Sequence, residues 1–241
     1  MGLLLELQHV SKRYGHGLGQ RTVLRDVSLA LEPGELVVIW GRRRSGRSTL
    51  LRVAAGVEPP DSGVVRFAGS NLAGHRGDLL GGGIGYCQCS FLPTEGQLVL
   101  DQLIVSQLAR GVPPLLAASR AKSALERLGA ERCATLRPGE LSGEEAVRVA
   151  IARAFALEPK LLVIDEPTLN VDLLVRDEIL LLLRSLADEG IAVLASAGES
   201  TGLAGSDRAL SIGKGELHGH MTPELAQVLP LRPPATRQAS A

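Results

Sequence analysis

The sequence lacks a long hydrophobic run and lacks an excess of charge of either sign. A membrane-spanning helix needs about eighteen or more consecutive apolar residues, and no stretch of the 241 residues approaches that length. Residues 1–6 are too short and wrongly charged for a signal peptide. The 26 basic and 26 acidic residues give a net charge of +0, so no global field favours nucleic acid or an anionic membrane as the main partner. We therefore expect a cytoplasmic protein without membrane insertion of its own.

Cysteine is also scarce. The three cysteines, Cys87, Cys89 and Cys133, form an odd set without the spacing of a disulfide framework, which suits a reducing compartment. Cys87 with Cys89, and His218 with His220, each offer two potential metal ligands on one face of a strand. Neither pair has a second pair nearby in the sequence, so we expect packed thiols and surface histidines rather than a metal site.

The apolar pattern predicts an α/β chain. With 45% apolar residues, the chain can bury the core of one domain with a small helical subdomain. Strands are predicted at 4–10, 27–31, 35–40, 64–67, 161–165, 191–195, 209–212 and 216–220. Helices are predicted at 48–55, 99–110, 115–128, 143–156 and 173–188, with glycine and proline breakers at 111–114 and 137–139.

A glycine-containing loop separates the predicted strand 35–40 from the predicted helix 48–55. Its residues are Gly41, Arg42, Arg43, Arg44, Ser45, Gly46, Arg47, Ser48 and Thr49. The order follows the phosphate-binding pattern G-x-x-x-x-G-K-[S/T], in which backbone N–H groups surround phosphates, lysine reaches the outer ones and the hydroxyl holds Mg²⁺. Arg47 stands at the lysine position. Because a helix N-terminus favours anions without any lysine, we predict nucleotide binding with hydrolysis in question; the alternative is a surface turn.

Two further segments support a nucleotide site. The predicted strand 161–165 ends in Asp165 and Glu166, at the strand end where α/β sheets bind ligands. Asp165 is placed to hold Mg²⁺ through water, and Glu166 to orient or deprotonate an attacking water in phosphoryl transfer. Ser142 and Gly143 lie about twenty residues upstream, at the start of a predicted helix.

With these motifs the chain resembles the ATP-binding subunits of ABC transporters, from about residue 4 to about residue 220. Residues 141–154 resemble the family signature, with Ser142, Gly143 and Glu144 as nucleotide contacts; residues 161–168 resemble the Walker B strand, and 171–172 the D-loop. Tyr14 stands where the family stacks an aromatic ring on adenine.

The resemblance implies an α/β P-loop NTPase fold of ABC type, a mixed β core with a RecA-like half plus a helical subdomain. It places the nucleotide-binding domain at 1–220, the helical subdomain at about 98–156, and a short C-terminal helix with a flexible tail at 221–241. ATP and Mg²⁺ are the implied cofactors. A membrane permease and a second ABC ATPase subunit are the implied partners, at the cytoplasmic face of the membrane. The extension at 14–19 faintly resembles the lipoprotein-release and macrolide-export branch.

Several residues depart from the family pattern. Arg47 keeps the charge of the lysine but is longer and bulkier, and Arg44 brings a side chain to a turn that usually has glycine. Gly198 takes the position of the switch histidine. Glu144 replaces a glycine, which brings a carboxylate near the phosphate of the opposing subunit and opposes closure.

The Q-loop is displaced as well. Cys89 stands at the glutamine position and Gln88 one residue early, so Gln88 is a doubtful Mg²⁺ or water contact because a one-residue slip reverses a side chain. Together the departures predict a degenerate lobe that works beside a competent second ATPase. The alternatives are a slow transport ATPase acting as a homodimer, with Glu166 and Arg47 in the working roles, and a non-hydrolytic nucleotide-gated clamp on a membrane protein. The transported substrate is not encoded in this chain.

Overall fold

The computed structural model describes residues 2–72, 83–89, 96–169, 171–198 and 205–221. The strands in these ranges are β1 Leu5–Tyr14, β2 Arg21–Leu31, β3 Leu36–Trp40, β4 Ser62–Phe67, β5 Ser70–Asn71, β6 Ile84–Gln88, β7 Leu161–Asp165, β8 Ala192–Ala197, β9 Arg208–Gly213 and β10 Glu216–Met221. The α-helices are α1 Arg47–Ala54, α2 Val99–Leu108, α3 Pro114–Arg127, α4 Gly143–Phe155 and α5 Leu173–Asp188.

The larger sheet has six strands in the order β10-β9-β3-β8-β7-β6. Its strands pair in parallel except for β10, which runs antiparallel to β9. Every residue of β7 and β8 is buried, as expected for central parallel strands covered on both faces. The carboxyl ends of the parallel strands therefore meet at one edge of the sheet, next to the loops that follow β3, β6, β7 and β8.

The smaller sheet is antiparallel, in the order β2-β1-β4-β5. Its apolar face packs with α1 onto one face of the larger sheet, in a core that includes Leu5, Leu24, Leu50 and Val163. A second core on the opposite face joins α2, α3, α4 and α5 to the same strands and includes Leu103. The first of these cores fixes α1, and the loop before it, between the two sheets.

The helices α2, α3 and α4 share one apolar core, and one buried amide satisfies backbone carbonyls inside it. The Gln107 side chain donates hydrogen bonds to the carbonyls of Leu103 and Ala117, which joins α2 to the start of α3. Among the described residues, no helix combines the length and apolar content that a bilayer crossing needs.

The predicted elements are confirmed with small boundary changes. The bounds of β7 and α5 agree with the predicted 161–165 and 173–188. No strand was predicted for β5 or β6. In addition, β1 and β2 were expected only over their apolar parts but continue until Tyr14 pairs with Arg21. The extra residues are mostly exposed and polar, so backbone pairing extends beyond the part that hydrophobicity marks. The predicted C-terminal helix and tail beyond 221 lie outside the described residues.

Candidate functional site

The loop between β3 and α1 forms the floor of the site. Gly46 precedes the helix with φ of 113°, and a Cβ there would lie 2.8 Å from the carbonyl oxygen of Val23. A Cβ on Gly41 would lie 2.5 Å from the carbonyl oxygen of Ile212. Both positions therefore require glycine, because β2 and β9 approach the loop closely. The N-terminal amides of α1 remain directed at the space above this loop.

Arg44 adopts the left-handed conformation that its glycine-like position predicts. Its φ is 64°, which costs a residue with a Cβ about 1–2 kcal/mol. The guanidinium of Arg21 donates a hydrogen bond of 3.5 Å to the Arg44 carbonyl and so holds the turn against β2. The loop thus keeps the backbone path of a phosphate-binding turn while storing strain at one residue.

An open cavity of about 710 Å³ lies above the loop. Its lining consists of Arg21, Val23, Arg43, Arg44, Ser45, Gly46, Arg47, Ser48, Thr49 and Glu166. Most of the predicted loop residues and Glu166 are therefore brought together. Gly41, Arg42 and Tyr14 are not among the described lining residues, while Arg21 and Val23 were not predicted. Four arginines face one carboxylate, so the cavity suits a strongly anionic ligand.

Arg47 does not point freely into this cavity. Its side chain is 5% exposed, and its Nη2 donates a hydrogen bond of 2.6 Å to Oε1 of Glu166. Its Nη1 is buried without a hydrogen-bond partner. A Cβ built on Gly198 would lie 3.5 Å from this Nη1. The guanidinium therefore occupies the space next to Gly198, where the sequence lacks the expected histidine.

The Asp165 carboxylate and the Glu166 backbone at the end of β7 are held by a serine that the sequence did not predict. The Ser196 hydroxyl, on the neighbouring strand β8, donates to Oδ1 of Asp165 at 2.7 Å and accepts the Glu166 N–H at 2.9 Å. Ser196 is buried, and Glu166 has φ of 54°. In the sequence, the only indication of this role is that Ser196 is a single hydroxyl residue inside the apolar run 192–197.

The chemistry of these groups fits Mg²⁺. The Ser48 hydroxyl lines the cavity, and the Asp165 carboxylate is buried at the same strand edge; hydroxyl and carboxylate oxygens are ligands that this hard cation prefers. The β6–β7 register pairs Gln88 with Asp165, so Gln88 lies beside Asp165 on the same face of the sheet. The predicted metal contacts Ser48, Asp165 and Gln88 thus belong to one edge, and their role remains a prediction.

Cys87 and Cys89 pack against each other instead of facing this edge. Their sulfur atoms lie 3.4 Å apart, and Cys87 belongs to the core under α4. The hydrogen bond with Cys87 and burial raise the pKa of the Cys89 thiol well above its usual value. Both cysteines are free, and within the described ranges no cluster of three or more potential metal ligands occurs.

Tyr14 makes contacts away from the cavity. Its hydroxyl donates to Glu58 at 2.7 Å and accepts from Arg52 at 3.2 Å, while the ammonium of Lys12 lies 5.7 Å from the ring centre. Burial raises the pKa of Glu58, but hydrogen bonds from Tyr14 and Arg52 outweigh it, and the net pKa is lowered. Adenine stacking on Tyr14 remains a prediction.

The signature segment forms the start of α4. Ser142 caps the helix: its hydroxyl accepts the Glu145 N–H at 3.3 Å, while the Glu145 carboxylate accepts the Ser142 N–H at 2.8 Å. Glu144 accepts a hydrogen bond of 2.7 Å from Arg148, and the same guanidinium donates to Glu178 at 3.0 Å. The Glu144 carboxylate is therefore paired within its own helix with a cation that it shares. Ser142, Gly143 and Glu144 are not among the residues lining the cavity described above.

Comparisons with known proteins agree with this architecture. Residues 24–169 match the family model described as ABC transporter. The lipoprotein-releasing system ATP-binding protein LolD of Maricaulis maris is 36% identical over 230 residues, covering 91% of this chain and 96% of that protein. The LolD protein of Ruegeria pomeroyi is 35% identical over 220 residues, covering 88% and 96%.

Solved structures show the same fold. A dimeric bacterial ABC transporter cassette superposes with a TM-score of 0.80 at 26% identity, covering 90% of this chain and 98% of that one. A dimeric post-hydrolysis state of an ATP-binding cassette with bound ADP and Pi gives a TM-score of 0.77 at 26% identity over the same shares.

Proposed function

The chain belongs to the ABC transporter family as an ATP-binding subunit, and we propose that its own site binds ATP with Mg²⁺ but hydrolyses ATP poorly. The observation that carries the proposal is the ion pair between Arg47 and Glu166, at 2.6 Å. The carboxylate predicted to accept a proton from the attacking water instead accepts a hydrogen bond from a cation of the same chain. A general base must be within reach of the proton that it removes, and this one is occupied.

Binding and hydrolysis depend on different parts of the site. The retained glycines, the N-terminus of α1 and the arginines of the loop supply amides and positive charge for a triphosphate. The Ser48 hydroxyl and the Asp165 carboxylate, which Ser196 holds at 2.7 Å, supply oxygens for Mg²⁺. Water activation depends on Glu166 alone among the described lining residues. The departures therefore affect hydrolysis more than binding.

A second proposal concerns the partners. A head-to-tail pair of lobes would place the α4 N-terminus of this chain over the other lobe's phosphate site. That end is well formed here, because Ser142 and Glu145 make reciprocal capping bonds and Arg148 forms an ion pair with Glu144. We therefore propose a heterodimer with a competent ATPase, in which this chain completes the working site while its own site holds nucleotide. The pair would act on a membrane permease at the cytoplasmic face of the membrane.

The names of the relatives indicate the kind of transport. Both LolD proteins belong to lipoprotein-releasing systems by name, and each is covered almost completely by this chain. We propose that this subunit serves a system of that kind. The shape and charge of the nucleotide site carry no information about the transported molecule, so the proposed kind of transport depends on the relatives.

A slow homodimeric ATPase is the second candidate. The retained Ser48, Asp165, Glu166 and their positioning serine favour it, as does the dimeric state of the cassette with the similar fold. The two candidates differ in composition, since a homodimer would carry the Arg47–Glu166 pair in both sites.

Two measurements separate the candidates. The chain purified alone should bind ATP and turn it over far below about 1 s⁻¹, an ordinary rate for enzymes; a rate near that value from the lone chain contradicts the proposal. Affinity purification of the tagged chain from its native membranes should yield a permease and a different ATPase subunit. Recovery of a permease with this chain as the sole ATPase would establish the homodimer.

A further inference from the structure

We propose that the aromatic base of the bound nucleotide lies against Arg21 and Val23 of β2 and not on the ring of Tyr14. The inference rests on the proposed nucleotide binding, and it assigns the base end of the site to two residues that the sequence did not predict. Arg21 then acts as a specificity-determining residue, because its guanidinium contacts the base while the loop before α1 surrounds the phosphates.

The first support is that contacts within the protein hold Tyr14. Its hydroxyl donates to Glu58 at 2.7 Å and accepts from Arg52 at 3.2 Å. The ammonium of Lys12 lies over the ring, 5.7 Å from its centre, and a cation in that position is attracted to the ring face. Tyr14 is not among the described residues that line the cavity. Its hydroxyl and one face of its ring are therefore already in use.

The second support is the composition of the cavity edge that β2 forms. Arg21 and Val23 are the β2 residues in the described lining, and the other lining residues come from the loop before α1, from α1 itself and from Glu166. Val23 has the only purely hydrocarbon side chain in that described set. Ligand sites place apolar side chains against the apolar parts of a ligand, and a phosphate has none. This edge therefore suits the base better than the phosphates.

A β-bulge places Val23 at this edge. The β1–β2 register shifts between Lys12 and Arg13, which leaves Val23 as an extra residue in β2. Bulges of this kind redirect side chains and are frequent next to functional sites. A Cβ on Gly46 would lie 2.8 Å from the Val23 carbonyl oxygen, so the bulge packs directly on the start of α1. The base end and the phosphate end of the site are thus held next to each other.

The third support is the orientation of Arg21. Its Nη2 donates a long hydrogen bond of 3.5 Å to the Arg44 carbonyl, which holds the edge of the guanidinium at the turn. The planar faces of a guanidinium stack on aromatic rings, and a hydrogen bond at the edge does not cover those faces. The cavity of about 710 Å³ is within the size range of sites that enclose most of a small ligand. It therefore has room for a base beside Arg21 as well as for the phosphates.

Equilibrium titrations with ATP and with inorganic tripolyphosphate, both without Mg²⁺, test the base contact. Tripolyphosphate has the phosphate chain of ATP without base or ribose, so the wild-type chain should bind ATP more tightly. Arg21→Ala should weaken ATP binding about fivefold and tripolyphosphate binding less than about twofold, as expected for the loss of an exposed cation–π contact. Arg21→Lys keeps the positive charge but loses the planar fork, so it should also weaken ATP binding selectively.

Two further variants serve as controls. Arg43→Ala removes a cation of the loop from the same cavity, so it should weaken ATP and tripolyphosphate by the same factor. Tyr14→Leu removes the ring that the sequence predicted to stack on adenine, and it should change ATP binding less than about twofold. A variant that binds tripolyphosphate with wild-type affinity retains the folded loop, so a selective loss of ATP binding is not a folding defect.

The outcomes separate this inference from the proposed function. A wild-type chain that binds neither ligand would overturn the proposed function. A wild-type chain that binds both ligands equally would leave phosphate binding standing and overturn the base contact. Equal weakening of both ligands in Arg21→Ala would identify Arg21 as a phosphate contact and overturn the inference as well. Loss of ATP binding in Tyr14→Leu alone would place the base on Tyr14, with the same consequence.

Discussion

The guanidinium of Arg47 and the carboxylate of Glu166 form an ion pair of 2.6 Å across 119 positions of the chain. One group comes from the phosphate-binding loop before α1 and the other from the loop after β7. The pair therefore connects two motifs that, in a site competent for hydrolysis, would be separated by the phosphate and the attacking water. The remaining predictions concern residues that shape this site or the surfaces next to it.

Ser196→Ala should destabilise the protein by about 2 kcal/mol. The substitution leaves a buried Asp165 oxygen and the Glu166 N–H without their partner, and unpaired buried polar groups cost about 1–3 kcal/mol. Urea unfolding measures the change. Ser106→Ala is the control, because its hydroxyl bonds only to a carbonyl of its own helix in the contacts that the structure shows, and a loss below about 0.5 kcal/mol is expected. Equal losses at both serines would contradict the prediction.

Arg44→Gly should stabilise the protein by roughly 0.5 kcal/mol, because Arg44 has φ of 64° and relief of about 1–2 kcal/mol of Cβ strain exceeds the roughly 0.4–1 kcal/mol of entropy that glycine adds to the unfolded chain. The neighbouring Arg43 is not among the described residues with positive φ, so Arg43→Gly should destabilise the protein by increasing the entropy of the unfolded chain. In thermal unfolding, the melting temperature of Arg44→Gly should rise and that of Arg43→Gly should fall. A lower melting temperature for Arg44→Gly would show that the turn is not strained there.

Ser142→Ala should cost about 1 kcal/mol of stability, as is typical when a helix loses its N-cap side chain. The hydroxyl accepts the Glu145 N–H at 3.3 Å, and alanine cannot replace it. Glu145→Gln keeps an oxygen for the Ser142 N–H and so retains most of the capping box. Chemical unfolding of the two variants should therefore rank the serine substitution as more damaging, and the reverse order would be inconsistent with the cap.

Glu58→Gln should make stability less dependent on pH in the acid range. The pKa of Glu58 is lowered in the folded protein, so its ionised form stabilises the fold above the unfolded pKa of about 4.3. This stabilisation is lost as pH falls through the lower folded pKa. Unfolding free energies between pH 6 and pH 3 should therefore fall more for the wild type than for Glu58→Gln.

Tyr14→Phe provides a partial version of the same test. It removes the hydroxyl that donates to Glu58 at 2.7 Å but leaves the bonds from Arg52 and Lys12. The pH dependence of stability should lie between those of the wild type and Glu58→Gln. Parallel pH profiles for all three proteins would show that Glu58 does not contribute.

Local pattern was sufficient for the five helices, for most of the strands and for most of the loop, but it did not predict β5 or β6. The apolar run 161–165 and the amphipathic run 173–188 predicted β7 and α5 correctly. A short continuous apolar run indicates a strand that is buried on both faces, and apolar residues spaced three and four apart indicate a helix with one buried face. The pairing of Glu144 with Arg148 was also available in the sequence, since residues four apart on a helix are neighbours.

Contacts between distant segments could not be predicted in this way. Ser196 appeared as one hydroxyl in an apolar strand, and its importance depends on β8 lying beside β7. Gln88 was judged by its shift from the family position, yet the β6–β7 register places it beside Asp165. Registers of parallel strands are set by long connections, so single-sequence spacing does not fix them.

By itself, the sequence determined that this chain has a phosphate-binding loop, an acidic strand end and a helix start of the ABC type, because each is a continuous segment with its own spacing. It also determined that the loop position of the lysine holds Arg47 and that the position of the switch histidine holds Gly198. Only the tertiary structure decided what Arg47 contacts, since Glu166 follows β7 and Gly198 follows β8, both far from the loop in the sequence. Side-chain partners across such distances follow from packing of the whole core, and no local pattern encodes them.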